Sequence, residues 1–146
     1  VFEHISIYVN NFKVENFQQF YEKKKAKDNF VKLYKAFLDF VSKELDLKEL
    51  PVIELVDDKE KAKERKSFGT YDGATIIVNI AGRHPDDIFR TLAHELVHHK
   101  QNGEGRIKDD SGETGSEIEN EANAVAGIIL RKFNHAYPIV FESKQI

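Results

Sequence analysis

The chain reads as an α+β fold, and three stretches carry that expectation. Residues 28–46 repeat apolar side chains at Phe30, Leu33, Tyr34, Phe37, Leu38, Val41 and Leu45, the spacing of a long amphipathic helix. Residues 74–80, Ala-Thr-Ile-Ile-Val-Asn-Ile, are rich in β-branched side chains and follow turn-forming residues at Gly69–Gly73. Residues 85–100 return to helical periodicity, with histidines gathered on the polar side. A length of 146 residues fits one domain, 1–146, able to bury a core.

Composition narrows the classes of function. A net charge of −3 offers no global attraction to nucleic acid or to an anionic membrane. No apolar run approaches a membrane span, and the N-terminus has no signal-peptide core, so a cytoplasmic setting is expected. Cysteine is absent, which removes disulfides and thiolate ligands; a metal here must rest on histidine and carboxylate. The chain opens on valine and contains no methionine, which points to processing or trimming.

Taken in order, residues 1–9 suit a strand, with His4 a structural histidine. Phe12, Phe17, Phe20 and Tyr21 precede Lys23, Lys24 and Lys25. A packed aromatic face ending in a solvated lysine run is preferred there over a nucleic-acid stacking surface. Asp28 or Asn29 is the expected cap of the scaffold helix. Pro51 opens a short strand, Val-Ile-Glu-Leu-Val, and the charged residues 57–66 suit a solvated helical turn or loop. The strand at 74–80 either rims a cleft, where an extended peptide could pair with it, or lies inside a sheet. Both readings stay open.

The stretch His94-Glu95-Leu-Val-His98 matches His-Glu-x-x-His, a helical zinc-binding pattern of peptide-hydrolysing enzymes. Four residues apart, the two imidazoles leave one helix face a turn apart and can share a tetrahedral ion. Glu95 lies about 100° round from His94. That is wrong for an obvious ligand and right for taking a proton from a water on the metal and passing it to a leaving amine. Ile88, Phe89, Leu92, Ala93, Leu96 and Val97 fill the opposite half, so the helix can bury one side and present the other to a cleft. Pro85, Asp86 and Asp87 suit its first turn. Chance produces this pentapeptide in roughly 2% of shuffled chains of this composition, so residues downstream must decide.

A catalytic zinc takes three protein ligands. Continuing the motif as His-x-x-Gly-x-x-His fails, because Gln101 and Glu104 stand at the glycine and histidine positions. His135 is the sole histidine beyond His99. After a glycine-rich, acidic loop at 101–116, a helix is expected from the cap Ser116, with Ile118, Val125, Ile129 and Phe133 on one stripe. Ala122 and Ala126 would let this helix approach the first closely. Glu119 could then complete the metal site, and Asn123, one turn on, could orient a ligand from behind. Glu121 is the other candidate; it lies about 200° from Glu119, so only one of the two can face the ion.

His94-Glu-x-x-His98 followed by Glu119-x-Glu121-Ala122-Asn123-x-x-Ala126 resembles the gluzincins, and among them the compact ImmA/IrrE-type metallopeptidases. The lead-in is similar too: a Leu-Pro-Val strand at 50–52, a Gly-x-Tyr turn at 69–71, a strand, then Arg90-Thr-Leu-Ala before the first histidine. The likeness spans roughly residues 28–132. It departs at Val97, where a glycine often precedes the second histidine, and at His99 after it. The resemblance implies a zincin-like fold, with a scaffold helix and a small mixed or antiparallel sheet packed on the two ligand-bearing helices. It implies Zn²⁺ on His94, His98 and Glu119, Glu95 as general base and acid, and a peptide or protein substrate, often a regulatory protein. So small and lysine-rich a form would suit a phage or mobile element. Membrane is not expected as a partner, nor is nucleic acid. His135, Tyr137, Arg131, Tyr71 and His99 stand as oxyanion donors, with no choice among them. Three rival readings remain. The first is a non-catalytic zincin acting as a metal-binding regulatory or structural protein, against which the intact Glu95 weighs. The second is a DNA-linked protease of the SprT type, whose third histidine this chain lacks. The third is a virion or scaffold protein with a fortuitous motif.

Overall fold

A computed structural model describes residues 17–64, 68–109 and 111–143. The strand expected at 1–9, with His4, lies outside them, as do Phe12 and the side chains of Phe17 and Phe20. The described chain is mixed α+β. Its order is α1 (Phe17–Glu44), β1 (Val52–Val56), α2 (Lys59–Glu64), β2 (Gly69–Tyr71), β3 (Thr75–Asn79), α3 (Pro85–Gly103), α4 (Glu117–Ala136) and a closing 3₁₀ turn, Pro138–Glu142. No described helix is long and apolar enough to cross a membrane.

The scaffold helix begins well before the expected cap at Asp28 or Asn29. Lysine, glutamine and alanine at 18–27 are strong helix formers, so α1 continues N-terminally although the lysines at 23–25 and 27 interrupt its apolar stripe. Tyr21, expected in a packed aromatic face, is 54% exposed there, and Lys23–Lys25 are solvated as anticipated. Further along, Phe30, Leu33, Phe37, Val41 and Leu45 repeat at three- and four-residue intervals and are buried. Phe37 stacks on Phe89 of α3 at 4.7 Å and meets Phe133 of α4 edge-on at 5.0 Å. This three-helix aromatic contact joins the scaffold to the two helices that carry the candidate ligands, each pair adding about 0.5–1.5 kcal/mol beyond its buried area.

The sheet is mixed, in the order β1-β3-β2, with β1 parallel and β2 antiparallel to β3. The strand expected at 74–80 is therefore the interior one, hydrogen-bonded on both sides, and its reading as a cleft rim is corrected. The rim is β2, which grows out of the stretch expected as turn alone. Thr70 and Tyr71 favour extended backbone, and the reversal shrinks to Asp72–Ala74. Asp72 closes it by accepting from Ala74 and Thr75 N–H at 2.8 and 2.7 Å, while Gly73 takes a left-handed φ of 98°. Those two N–H donors hold the Asp72 carboxyl below its usual range. The charged run after β1 is a short solvated helix, α2, with no buried residue.

Between β3 and α3 the chain is locked by Arg83, which is buried. Its guanidinium donates to the Asn79 carbonyl at 2.8 Å and to Asp87 Oδ2 at 2.9 Å, and stacks 4.4 Å over the Phe68 ring. The start of α3 is thereby fixed against the sheet. Pro85 sits in its first turn as expected, and His84 caps it by accepting from Asp86 N–H at 3.0 Å.

Candidate metal centre

α3 presents its apolar half to the core and its polar half to a cleft of about 500 Å³. Among the residues lining that cleft are His94, Glu95 and His98 of α3, Glu119 of α4 and β2 along the opposite rim. Three of the expected site residues meet at one point. His94 Nε2 lies 3.2 Å from Glu119 Oε2, His98 Nε2 lies 3.0 Å from Glu119 Oε1, and the two Nε2 atoms are 3.0 Å apart. A tetrahedral ion at about 2.0–2.1 Å from each donor would set neighbouring donors roughly 3.3 Å apart, close to these separations. The group can hold a metal ion.

The hydrogen bonds behind the ligands argue the same way. His98 Nδ1 lies 2.8 Å from Gln101 Oε1, and the Gln101 amide is oriented from its other end. There Nε2 donates to the Ile118 carbonyl and to Glu121 Oε1, both at 3.1 Å. Oε1 must therefore accept, so His98 carries its proton on Nδ1 and turns the Nε2 lone pair towards Glu119 and His94. Acceptors thus converge on one point, and only a proton or a cation reconciles them. Burial lowers the pKa of His94, the neighbouring His98 lowers it further, and Glu119 opposes both; the neutral, ligating form is favoured. The Asn123 side chain acts on His94 as a neighbouring acceptor, opposing the downward shift from the supporting position expected for it.

The alternative ligand, Glu121, has another occupation. Its two oxygens take a bidentate pair from Arg106 at 2.9 and 2.8 Å while Oε1 also accepts from Gln101. These contacts hold its carboxyl down at about 2. Arg106 reaches Glu121 because α3 ends in a tight reversal at Gly105, φ 72°, where Arg106 N–H returns to the Gln101 carbonyl. Gln101 itself, 1% exposed, was missed by sequence reasoning except as the residue that breaks a longer motif. A buried glutamine three residues beyond a ligand histidine was the available signal, and burial was not legible.

Glu95 is 7% exposed and stands between the ligands and β2. Its pKa is pushed up to about 7, chiefly by burial, with Glu119 adding and His98 opposing. Gly69 permits this arrangement. A Cβ there would come 2.5 Å from Thr91 Cγ2 and 3.3 Å from Glu95 Oε1, so β2 can lie this close to α3 only through glycine.

On α4, Ser116 caps the helix by accepting from Glu119 N–H, and Ala122 and Ala126 are buried against the neighbouring elements, as expected. The loop before it is tied down by Ser111, whose Oγ accepts from Lys108 N–H and whose carbonyl accepts from Ser116 Oγ, each at 2.7 Å. Of the five expected oxyanion donors, Tyr71 alone lines the cleft. His99 sits behind it, Nδ1 3.0 Å from the Tyr71 hydroxyl, and Asn102 donates to that hydroxyl at 3.1 Å. His135, Arg131 and Tyr137 line other cavities and are not brought to this site, because they sit at the far end of α4 from Glu119. No protein-family model, curated protein or solved structure matches this chain.

Proposed function

We propose that this chain is a zinc-dependent peptidase of the gluzincin kind, zincin-like in fold and closest in motif order to the ImmA/IrrE-type metallopeptidases. The observation that carries the reading is the convergence of His94 Nε2, His98 Nε2 and the Glu119 carboxylate from two helices, with buried Glu95 beside them. Two imidazoles and a carboxylate, with no thiolate, are one of the donor sets of catalytic zinc sites. Bound there, zinc supplies Lewis acidity, polarising a substrate carbonyl and making water a better acid.

The chain's own residues do the rest. Glu95, with a carboxyl poised near 7, takes a proton from water and returns it to the departing amine nitrogen. A cation close by favours its ionised form, so the base is charged when it has to accept. Tyr71 is the cleft-lining candidate for donation to the oxyanion, its hydroxyl held in place by Asn102. β2, the edge strand on the rim, offers backbone groups to an extended peptide, the role first considered for β3. The substrate class is a peptide or a protein, with a regulatory protein as the example suggested by the motif likeness.

A zinc-loaded assay against a broad peptide library tests this, with Glu95→Gln alongside. The variant is expected to retain metal and to lose on the order of 10²–10⁴ in turnover. Hydrolysis undiminished in Glu95→Gln removes the role given to that residue. A parent protein that binds zinc tightly and cleaves nothing leaves the non-catalytic metal-binding reading in its place.

A further inference from the structure

α3 and α4 run antiparallel: Gln101 meets Ile118 near one end of their seam and Asp86 meets Asn134 near the other. The ligand group occupies the first end. At the second lies another cavity, of about 780 Å³, lined by Asp86 and Arg90 of α3 and by Arg131, Asn134 and His135 of α4. Residues 86, 90 and 94 succeed one another by single helical turns, so this cavity starts about 6 Å along α3 from the ligand His94.

Arginine usage sets the cavity apart. Arg83 and Arg106 are consumed by structure, one on Asn79 and Asp87, the other on Glu121. The exposed side chains of Arg90 and Arg131 make no hydrogen bond or ion pair among the described residues. The acid in the wall, Asp86, is already engaged, accepting from Asn134 Nδ2 at 2.6 Å. Because Asp86 can only accept, that contact fixes which end of the amide is which. Asn134 Oδ1 is then buried with no donor among the described residues. The cavity thus presents two exposed guanidinium forks without an anion among the described residues, while the Asn134 amide oxygen is closed off from solvent.

An acidic peptide segment meets that need, its carboxylates pairing with the two arginines. Phe141, 63% exposed on the rim, offers apolar surface to the aliphatic parts of such a segment. We infer that this cavity is a recognition site for an acidic stretch of the peptide substrate, and the inference rests on the peptidase reading of the metal site. At about 3.3 Å per extended residue, a reach of roughly 6–12 Å along α3 puts the acid about two to four residues from the bond that is cleaved. A nucleic-acid strand fits less well. Its phosphates would also pair with the arginines, but with a charge at every nucleotide it would meet the chain's net charge of −3 more strongly than a peptide carrying one or two acids.

Fluorescence anisotropy with Glu95→Gln protein, zinc-loaded and metal-stripped, tests the site. The probes are a labelled Glu/Gly/Leu octapeptide and the same peptide with glutamine for glutamate. The acidic peptide is expected to bind about tenfold more tightly in both metal states. That preference should fall to within about twofold in Arg90→Glu/Arg131→Glu, and by roughly threefold in each single Arg→Gln variant, which keep the side-chain bulk if the double reversal does not fold. Equal affinity for the two peptides overturns the inference, as does a preference that survives the charge reversals in protein melting at the parent temperature. Tighter binding of single-stranded DNA of matched charge overturns it too. Acidic-peptide binding by a protein whose zinc-loaded parent hydrolyses nothing upholds the site and removes the peptidase reading. Hydrolysis without any acidic preference does the reverse.

Discussion

The two ends of the candidate metal centre are held in different ways. At the end nearest the loop, His98 is braced by Gln101, Gln101 by the Ile118 carbonyl and Glu121, and Glu121 by Arg106. At the other end, His94 has Asn123, an exposed residue, and its own side chain is 21% exposed against 11% for His98. Position along α3 accounts for the contrast. His94 sits mid-helix, with buried Ala93, Leu96 and Val97 packing its backbone in place. His98 lies near the terminus at Gly103, where helices fray, and a ligand there stays put only if something outside the helix fixes it. Backbone packing holds one histidine, side-chain bonding the other.

The sharpest way to break this contrast is Gln101→Leu. The near-isostere fills the buried space but leaves His98 Nδ1 without its partner and frees the imidazole to change tautomer. Metal affinity, measured by competition with a chromophoric chelator, is expected to fall about 10–100-fold. Co²⁺-substituted protein should show a shifted visible spectrum, because the ligand field changes and not just the stability of the fold. The metal-free variant should also be less stable by about 1–3 kcal/mol for the buried imidazole nitrogen left unpaired. Unchanged affinity and spectrum would mean that helix packing alone positions His98.

Much of this site was legible in sequence because its parts are local. The i, i+4 histidines, the proline and acids that open α3, and the serine cap with its following glutamate each sit within one or two helical turns. Glu119 and Asn123 could be chosen for the same reason, from spacing on one helix. Gln101 and Glu121 could not be assigned, since their partners lie 15 to 20 residues away across a turn whose closure at Gly105 only the folded chain displays. The early start of α1 was missed because the lysines at 23–25 and 27 break the apolar period between Tyr21 and Phe30, and helix propensity alone leaves no periodic mark. β2 was missed because three residues between two glycines look like turn until β3 is beside them.

A milder cut is Glu121→Gln, which keeps an acceptor for Gln101 and removes the charge that holds Arg106. Metal affinity should weaken by about threefold to tenfold, below the loss for Gln101→Leu, because the link adjacent to the ligand survives. Acid unfolding gives a second reading. The folded pKa of Glu121, about 2, lies below the ordinary carboxylate value. Its contribution is therefore whole above a pH of about 4.5 and is lost as the pH falls toward about 2. In metal-free protein, Glu121→Gln should flatten the stability curve across that window and leave it parallel to the parent at neutral pH. A curve that keeps the parent's slope below a pH of about 4.5 would show that the ion pair with Arg106 is not what steadies this end.

Asn123→Ala should have the smallest effect of the three. The contact it removes is from an exposed residue, and His94 keeps its place through the packed backbone of α3, so the loss is at most that of one solvent-accessible hydrogen bond. At about 0.5–1 kcal/mol, that corresponds to a two- to fivefold weaker hold on the metal. Chelator competition resolves a factor of this size, and Asn123→Asp separates two ways of producing it. Aspartate restores an acceptor and adds charge, so affinity should return to at least the parent level if Asn123 works by fixing the His94 ring. If alanine instead costs as much as Gln101→Leu, His94 depends on its neighbour as heavily as His98 does, and the asymmetry between the two ends of the site disappears.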